Sequence, residues 1–170
     1  MDFSDHKVNK IKLSPLMAEA RIKNWCAYQE RSQDETRTKL RSYGLHNEDT
    51  EELISKLISE NFLNEERFAL ALAGGKFRIK HWGKNKIRQE LRKHKISEYC
   101  VNKALKSIDA DDYETVLKKV IEKKLNGLKP GKNKTAPYSK NNDFYTVLKY
   151  AVSRGFESDL ASEQLNLLLK

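Results

Sequence analysis

Proline and glycine are scarce in this 170-residue chain, at three and seven residues. So few chain-breakers exclude a many-turned β-sandwich or barrel and favour helices. Cysteine is scarcer still. Cys26 and Cys100 stand alone, with no CxxC pair. That excludes a disulfide framework or a cysteine-rich zinc site, and both thiols read as reduced core residues. The four histidines show no ligand spacing. No stretch approaches the roughly 20 apolar residues that span a bilayer. The opening residues, MDFSDHKVNKIKLS, lack the apolar run of a signal peptide. The expectation is a cytoplasmic protein with no membrane contact, no metal and no cofactor.

Charge, by contrast, is abundant and uneven. There are 33 basic and 24 acidic side chains, a net charge of +9. Such a protein attracts phosphate polymers, anionic lipid or an acidic protein face. Residues 45–66 hold seven acids and one lysine, a net of −6. From Lys76 to Lys95 there are nine basic residues and one acid, a net of +8 before His81 and His94 are counted.

The apolar residues recur at helical spacing. Residues 1–14 are polar and aperiodic, and read as a flexible tail. Ser14-Pro15 reads as an N-cap followed by proline at the first helical position, with Ile22, Trp25, Cys26 and Gln29 continuing the helix. Ser32 and Glu35 form a capping box for a second helix that stops at Gly44. Asn47 can cap a third, carrying Leu53, Ile54 and Leu57. Asn64-Glu-Glu opens a helix with Phe68, Ala71, Leu72, Gly75 and Ile79 on one stripe. A helix over about 84–94 carries Ile87 and Leu91, and Ser97 caps the next. After Asp109-Ala-Asp-Asp a helix runs to about Asn126. Residues 127–142 contain breakers and lysines and read as a basic loop. Two helices follow, near 143–154 and 158–169.

An internal repeat organises these elements. Leu45, Ile96 and Phe156 are its anchors. Five residues later stand Thr50, Val101 and Ala161. At plus eight come Leu53, Ala104 and Gln164, at plus nine Ile54, Leu105 and Leu165, and at plus twelve Leu57, Ile108 and Leu168. Five residues before the anchors stand Leu40, Leu91 and Ala151. Offsets of five, eight, nine and twelve are one helix face. The same helix–turn–helix unit therefore recurs three times, each with a longer helix before it. The predicted fold is all-α: three tandem three-helix repeats, over 15–61, 62–109 and 110–170, forming an elongated, curved array. The slot before each anchor holds Gly44, Lys95 and Gly155. Glycine suits a left-handed helix stop, so the middle unit either tolerates strain at Lys95 or ends its helix differently.

Catalytic chemistry is hard to find. The stretch from Gly127 to Lys132 resembles a phosphate-binding loop, but it is one residue short, Asn133 follows the lysine, and no strand precedes it. Two acidic clusters (Glu48, Asp49, Glu51, Glu52 and Asp109, Asp111, Asp112) lie at helix starts, where carboxylates complement the helix dipole. That reading is preferred to a metal-dependent nuclease.

The basic run is more informative. Lys84, Arg88, Arg92 and Lys95 fall at steps of four, four and three, a stripe away from Ile87 and Leu91. Such a stripe can follow a phosphate backbone or an acidic partner. Trp82, just before it, can stack on a base or, more ordinarily, pack against the helix pair. The candidate nucleic-acid or filament contacts are Arg78, Lys80, Trp82, Lys84, Lys86, Arg88, Arg92 and Lys93. A further basic stretch, Lys118, Lys119, Lys123, Lys124, Lys129, Lys132 and Lys134, is equally consistent with a solvated face.

Four segments in order resemble the RecX family: Ser32-x-x-Glu35-x-x-x-Lys39-Leu40 with Gly44; Phe62-Leu63-Asn64-Glu65-x-Arg67-Phe68-Ala69; Gly83-x-x-x-Ile87-x-x-Glu90-Leu91; and Arg154-Gly155-Phe156-x-x-Asp159. The resemblance spans roughly residues 16–169. Thr36, Asn61, Lys84 and Lys95 depart from it, where leucine, glycine, proline and glycine are usual. It implies a non-catalytic regulator that binds the RecA recombinase, above all its filament on single-stranded DNA, and usually limits its activity; a monomer is a separate expectation. Duplex DNA is a further candidate partner. The rival readings are a stand-alone helix–turn–helix DNA-binding protein, a nuclease and a helical scaffold.

Overall fold

The computed structural model describes residues 12–128 and 140–169, with residues 140–142 described by their backbone alone. The described residues form nine helices and no strand. They are α1 (Pro15–Tyr28), α2 (Gln33–Ser42), α3 (Asn47–Ser59), α4 (Glu65–Lys80), α5 (Lys84–Lys93), α6 (Glu98–Lys106), α7 (Ala110–Asn126), α8 (Lys140–Ser153) and α9 (Ser158–Leu168). Contacts divide them into two units, one ending at Phe68 and the other beginning at Ala69.

In the first unit, Ser14 caps α1 through its hydroxyl, with Pro15 at the first helical position. The capping box of Ser32 and Glu35 starts α2. Ile22, Cys26, Leu40, Leu53, Ile54, Leu57 and Leu63 make the core, flanked by Trp25, Tyr43, Leu45 and Phe62. The cap of α3 is His46, not Asn47, which is already helical, and no side chain caps this end. The predicted tail also ends sooner. Residues 1–11 lie outside the described residues, but Leu13 is buried and its N–H donates to the Tyr43 carbonyl at 2.9 Å.

In the second unit, Asn64 Oδ1 accepts the Arg67 N–H just before its start, opening α4. The buried stripe of α4 is Phe68, Ala69, Ala73 and Phe77, while Ile79 stands exposed. This is one row around from the expected stripe. Alanine and glycine carry so little apolar signal that the phase of this helix was ambiguous. Ser97 caps α6, and the Asp109 carboxylate accepts the N–H groups of Asp111 and Asp112 at the start of α7. Asp109 is thus a cap, as the dipole argument expects. Gly127 ends α7, and residues 129–139 of the expected loop lie outside the described residues. Its last positions, from Lys140, are already helical.

The repeat is visible in the backbone. Leu45 N–H reaches the Leu40 carbonyl, Ile96 N–H that of Leu91, and Phe156 N–H that of Ala151. Gly44, Lys95 and Gly155 likewise donate to Arg41, Arg92 and Val152. All three helices therefore end in the same Schellman motif. The residue at its left-handed position has φ of 86° at Gly44, 57° at Lys95 and 93° at Gly155. Lys95 thus tolerates the strain. Asn61, at φ 63°, does the same at the end of α3. The residues before and after the anchors are core: Leu40, Leu91 and Ala151, and then Thr50, Val101 and Ala161, are all 0% exposed.

Two consequences follow from the register. Thr50 occupies the slot of Val101, and its hydroxyl is buried without a hydrogen-bond partner. Thr50→Val should stabilise the protein by about 1 kcal/mol, read by urea unfolding. Lys95→Gly should add about 1 kcal/mol by removing left-handed strain, read as a raised Tm.

Candidate nucleic-acid interface

Helix α5 begins without a side-chain cap, because its N-cap is Gly83. Its leading N–H groups would be orphans in isolation. The turn between α8 and α9 supplies their acceptors. Gly83 N–H donates to the Arg154 carbonyl at 2.9 Å, and Asn85 N–H to that of Gly155 at 3.0 Å. Lys84 N–H donates to Tyr113 Oη at 3.0 Å, and that phenol donates to Glu157 Oε2 at 2.6 Å. Burial, and then the hydrogen bond to the Glu157 carboxylate, push the Tyr113 phenol well above its ordinary pKa. It therefore remains a donor to Glu157. Its ring lies between Phe77 at 5.9 Å and Phe156 at 5.3 Å between centroids.

The exchange is reciprocal. Arg154 Nη2 donates to the carbonyls of Lys80 and His81 at the end of α4. Lys86 Nζ reaches the Ser153 carbonyl at 3.3 Å. The two backbones meet at glycine on both sides. A Cβ on Gly83 would overlap the Gly155 carbonyl group, and one on Gly155 would stand 2.5 Å from Lys86 N.

This junction sorts the eight candidate residues. Lys80, Trp82, Lys84 and Lys86 gather around it. Trp82 is half-buried, with Lys76 Nζ 4.6 Å and Lys86 Nζ 4.8 Å from its ring centroid. Lys84 Nζ lies 4.6 Å from the Tyr113 ring centroid. Arg88 and Arg92 instead converge on Glu98 of α6, at 3.2 and 2.6 Å, and Arg88 also donates to Asn102 Oδ1 at 3.0 Å. Lys93 is paired with Glu90 at 3.2 Å, and Glu90 with Lys76 at 3.3 Å. Burial would raise the Glu90 pKa, but Lys93 and Lys76 outweigh it and hold it low. Arg78 is exposed and folds its guanidinium over Gly74. The stripe of α5 is therefore two groups: one at the junction, the other clamped to α6.

Sequence reasoning missed Tyr113, Arg154 and Glu98. Arg154 stood inside a quoted motif, but nothing local shows that its guanidinium closes a distant helix. Among the described residues, no three His, Cys, Asp or Glu side chains cluster to hold a metal ion. A cleft of about 280 Å³ in the first unit, lined by Pro15, Leu16, Glu19, Leu45, Asp49, Glu52, Leu53 and Lys56, contains none of the candidate residues.

Residues 64–105, which hold this basic region, match the RecX second three-helix domain. The chain is 31% identical over 132 residues to the "Regulatory protein RecX" of Clostridium tetani. The chain is similar in sequence to the RecX family. That alignment covers 77% of this chain and 57% of the relative. The same-named protein of Clostridium perfringens is 29% identical, with 76% of this chain and 58% of the relative covered. The chain thus spans under three-fifths of those curated relatives' length. The fold is similar to the crystal structure of RecX from Lactobacillus salivarius, with a TM-score of 0.76 and 21% identity, over 91% of this chain and 96% of the other. A further crystal structure of regulatory protein RecX gives 0.73 and 20%, over 86% and 68%. Among the described residues, no helix is long and apolar enough to cross a membrane.

The junction and the clamp are each testable. Gly155→Ala should destabilise the protein by about 2 kcal/mol or more, read by urea unfolding, since it combines φ 93° with a Cβ against the α5 backbone. Glu98 has its carboxyl held low by its hydrogen bond to Arg92, with Arg88 adding to the effect. It stays ionised at neutral pH, and the pairing is lost only as pH falls through that lowered value. Glu98→Gln should free Arg88 and Arg92. The expected result is about threefold tighter binding to single-stranded DNA with a salt slope steeper by roughly one, read by anisotropy titration.

Proposed function

We propose that this chain is a RecX-type, cytoplasmic, monomeric, non-catalytic regulator that binds the RecA recombinase filament on single-stranded DNA and lowers its ATP hydrolysis and strand exchange. The observation that carries this reading is the concentration of cations on α4 and α5. Nine of the residues from Lys76 to Lys95 are basic, against the single acid Glu90. The turn between α8 and α9 meets the start of α5, so Trp82, Lys84 and Lys86 lie close to one another, which supports a shared contact surface. Such a surface suits a polyanionic assembly whose phosphates run in a row. The names of the relatives support regulation as the outcome.

Regulation by occupancy has a kinetic signature. Added to preformed recombinase filaments, the protein should lower ATP hydrolysis in proportion to its ratio to recombinase, saturating near stoichiometric amounts. The effect should fade as salt rises. The Lys84→Glu, Arg88→Glu, Arg92→Glu triple variant, with its helical circular dichroism intact, should weaken filament binding by about tenfold and flatten the salt dependence. Unchanged affinity in that variant, or full inhibition at trace amounts of wild type, would count against the reading.

A further inference from the structure

We infer that Tyr99, on α6, is the ring on which this protein stacks a base of single-stranded nucleic acid, in place of Trp82. The inference rests on the phosphate-binding reading above and names a contact within it. Trp82 is poorly placed for the task. It is half-buried, and two ammonium groups already lie within 5 Å of its ring centroid. A base would have to displace Lys76 or Lys86, losing a cation–π contact to gain a stacking one.

Tyr99 is more open, with one ammonium group near its ring, farther off than the two at Trp82. It is 70% exposed, and Lys103 Nζ approaches its ring at 6.0 Å. At 100° per residue, Glu98, Asn102, Lys106, Tyr99 and Lys103 occupy one arc of about 140° on α6. All five are exposed, while Cys100, Val101, Ala104 and Leu105 face the core. Arg88 and Arg92 join one edge of this arc through Glu98 and Asn102. With Lys103 and Lys106 against Glu98, the surface around the ring carries a net charge of +3. An exposed aromatic ring inside a cationic surface is the arrangement that binds single strands: cations hold the phosphates, and the ring takes a base of any sequence. The exposed Tyr145 is met edge-on by Phe144 at 5.7 Å, and Tyr28 lies in the unit that carries the acidic run.

The test is fluorescence anisotropy of the full chain on two labelled strands of equal length, one of thymidines and one of abasic sugar–phosphate. Tyr99→Ala should weaken binding to the thymidine strand by about tenfold and leave the abasic strand unaffected. Tyr99→Phe and Tyr99→Trp should restore binding to about twofold of wild type, since both keep a ring. Trp82→Ala should act alike on both strands. Equal loss on the two strands in Tyr99→Ala, or base-dependent loss in Trp82→Ala alone, overturns the inference while leaving phosphate binding intact. Normal strand binding by Tyr99→Ala with weakened binding to the recombinase filament makes Tyr99 a protein contact, which also overturns it. Wild-type binding to neither strand at low salt removes the phosphate contact itself, and the inference with it.

Discussion

Two helix termini that cannot satisfy themselves meet at Gly83 and Gly155. The last carbonyls before α9 have no acceptor role within their own helix, and the first N–H groups of α5 have no side-chain cap. Each end supplies what the other lacks, at 2.9 and 3.0 Å. Burying either set unpaired would cost roughly 1–3 kcal/mol per group. The contact works only because neither residue has a Cβ, and because φ at Gly155 lies in the left-handed region. Arg154 completes it from the other side by closing the carbonyls at the end of α4. This exchange holds the start of α5, while buried Ile87 and Leu91 fix its inner face.

Charge is then divided by pairing. Glu98 and Glu90 sit inside the basic region and bind Arg88, Arg92, Lys76 and Lys93. These are surface pairs, each worth little to stability. Their consequence is for charge: while Glu98 holds Arg88 and Arg92 against α6, the two guanidinium groups are partly neutralised and less available to a further anion. The two carboxylates also moderate a region that by composition is far from neutral. Of the aromatic rings in this part of the molecule, Trp82 has gone to cation–π packing, its more ordinary fate, while Tyr99 is left outward.

Most helix starts were legible because caps are local chemistry. Ser14, Ser32, Asn64 and Ser97 each act over three residues. His46 was misread because it stands where an asparagine follows at once, and the cap lies one residue earlier than the better capping side chain. The α4 stripe was misread because its small residues gave no clear phase. Arg154, Tyr113 and Glu157 were invisible as a group, because 44 residues separate the two ends of the Tyr113–Glu157 bond and more separate Arg154 from Lys80.

The amino-acid order alone determined that this chain is helical, that one helix–turn–helix unit recurs three times, and that positive charge collects between Lys76 and Lys95. Each of these is a matter of period, capping or composition, which are properties of neighbours along the chain. Tertiary structure alone decided which cations stand together, which acids bind them, and which aromatic ring is left facing out. Those outcomes depend on where the ends of distant helices meet, and a hydrogen bond between Gly83 and Arg154 leaves no periodic trace in either segment.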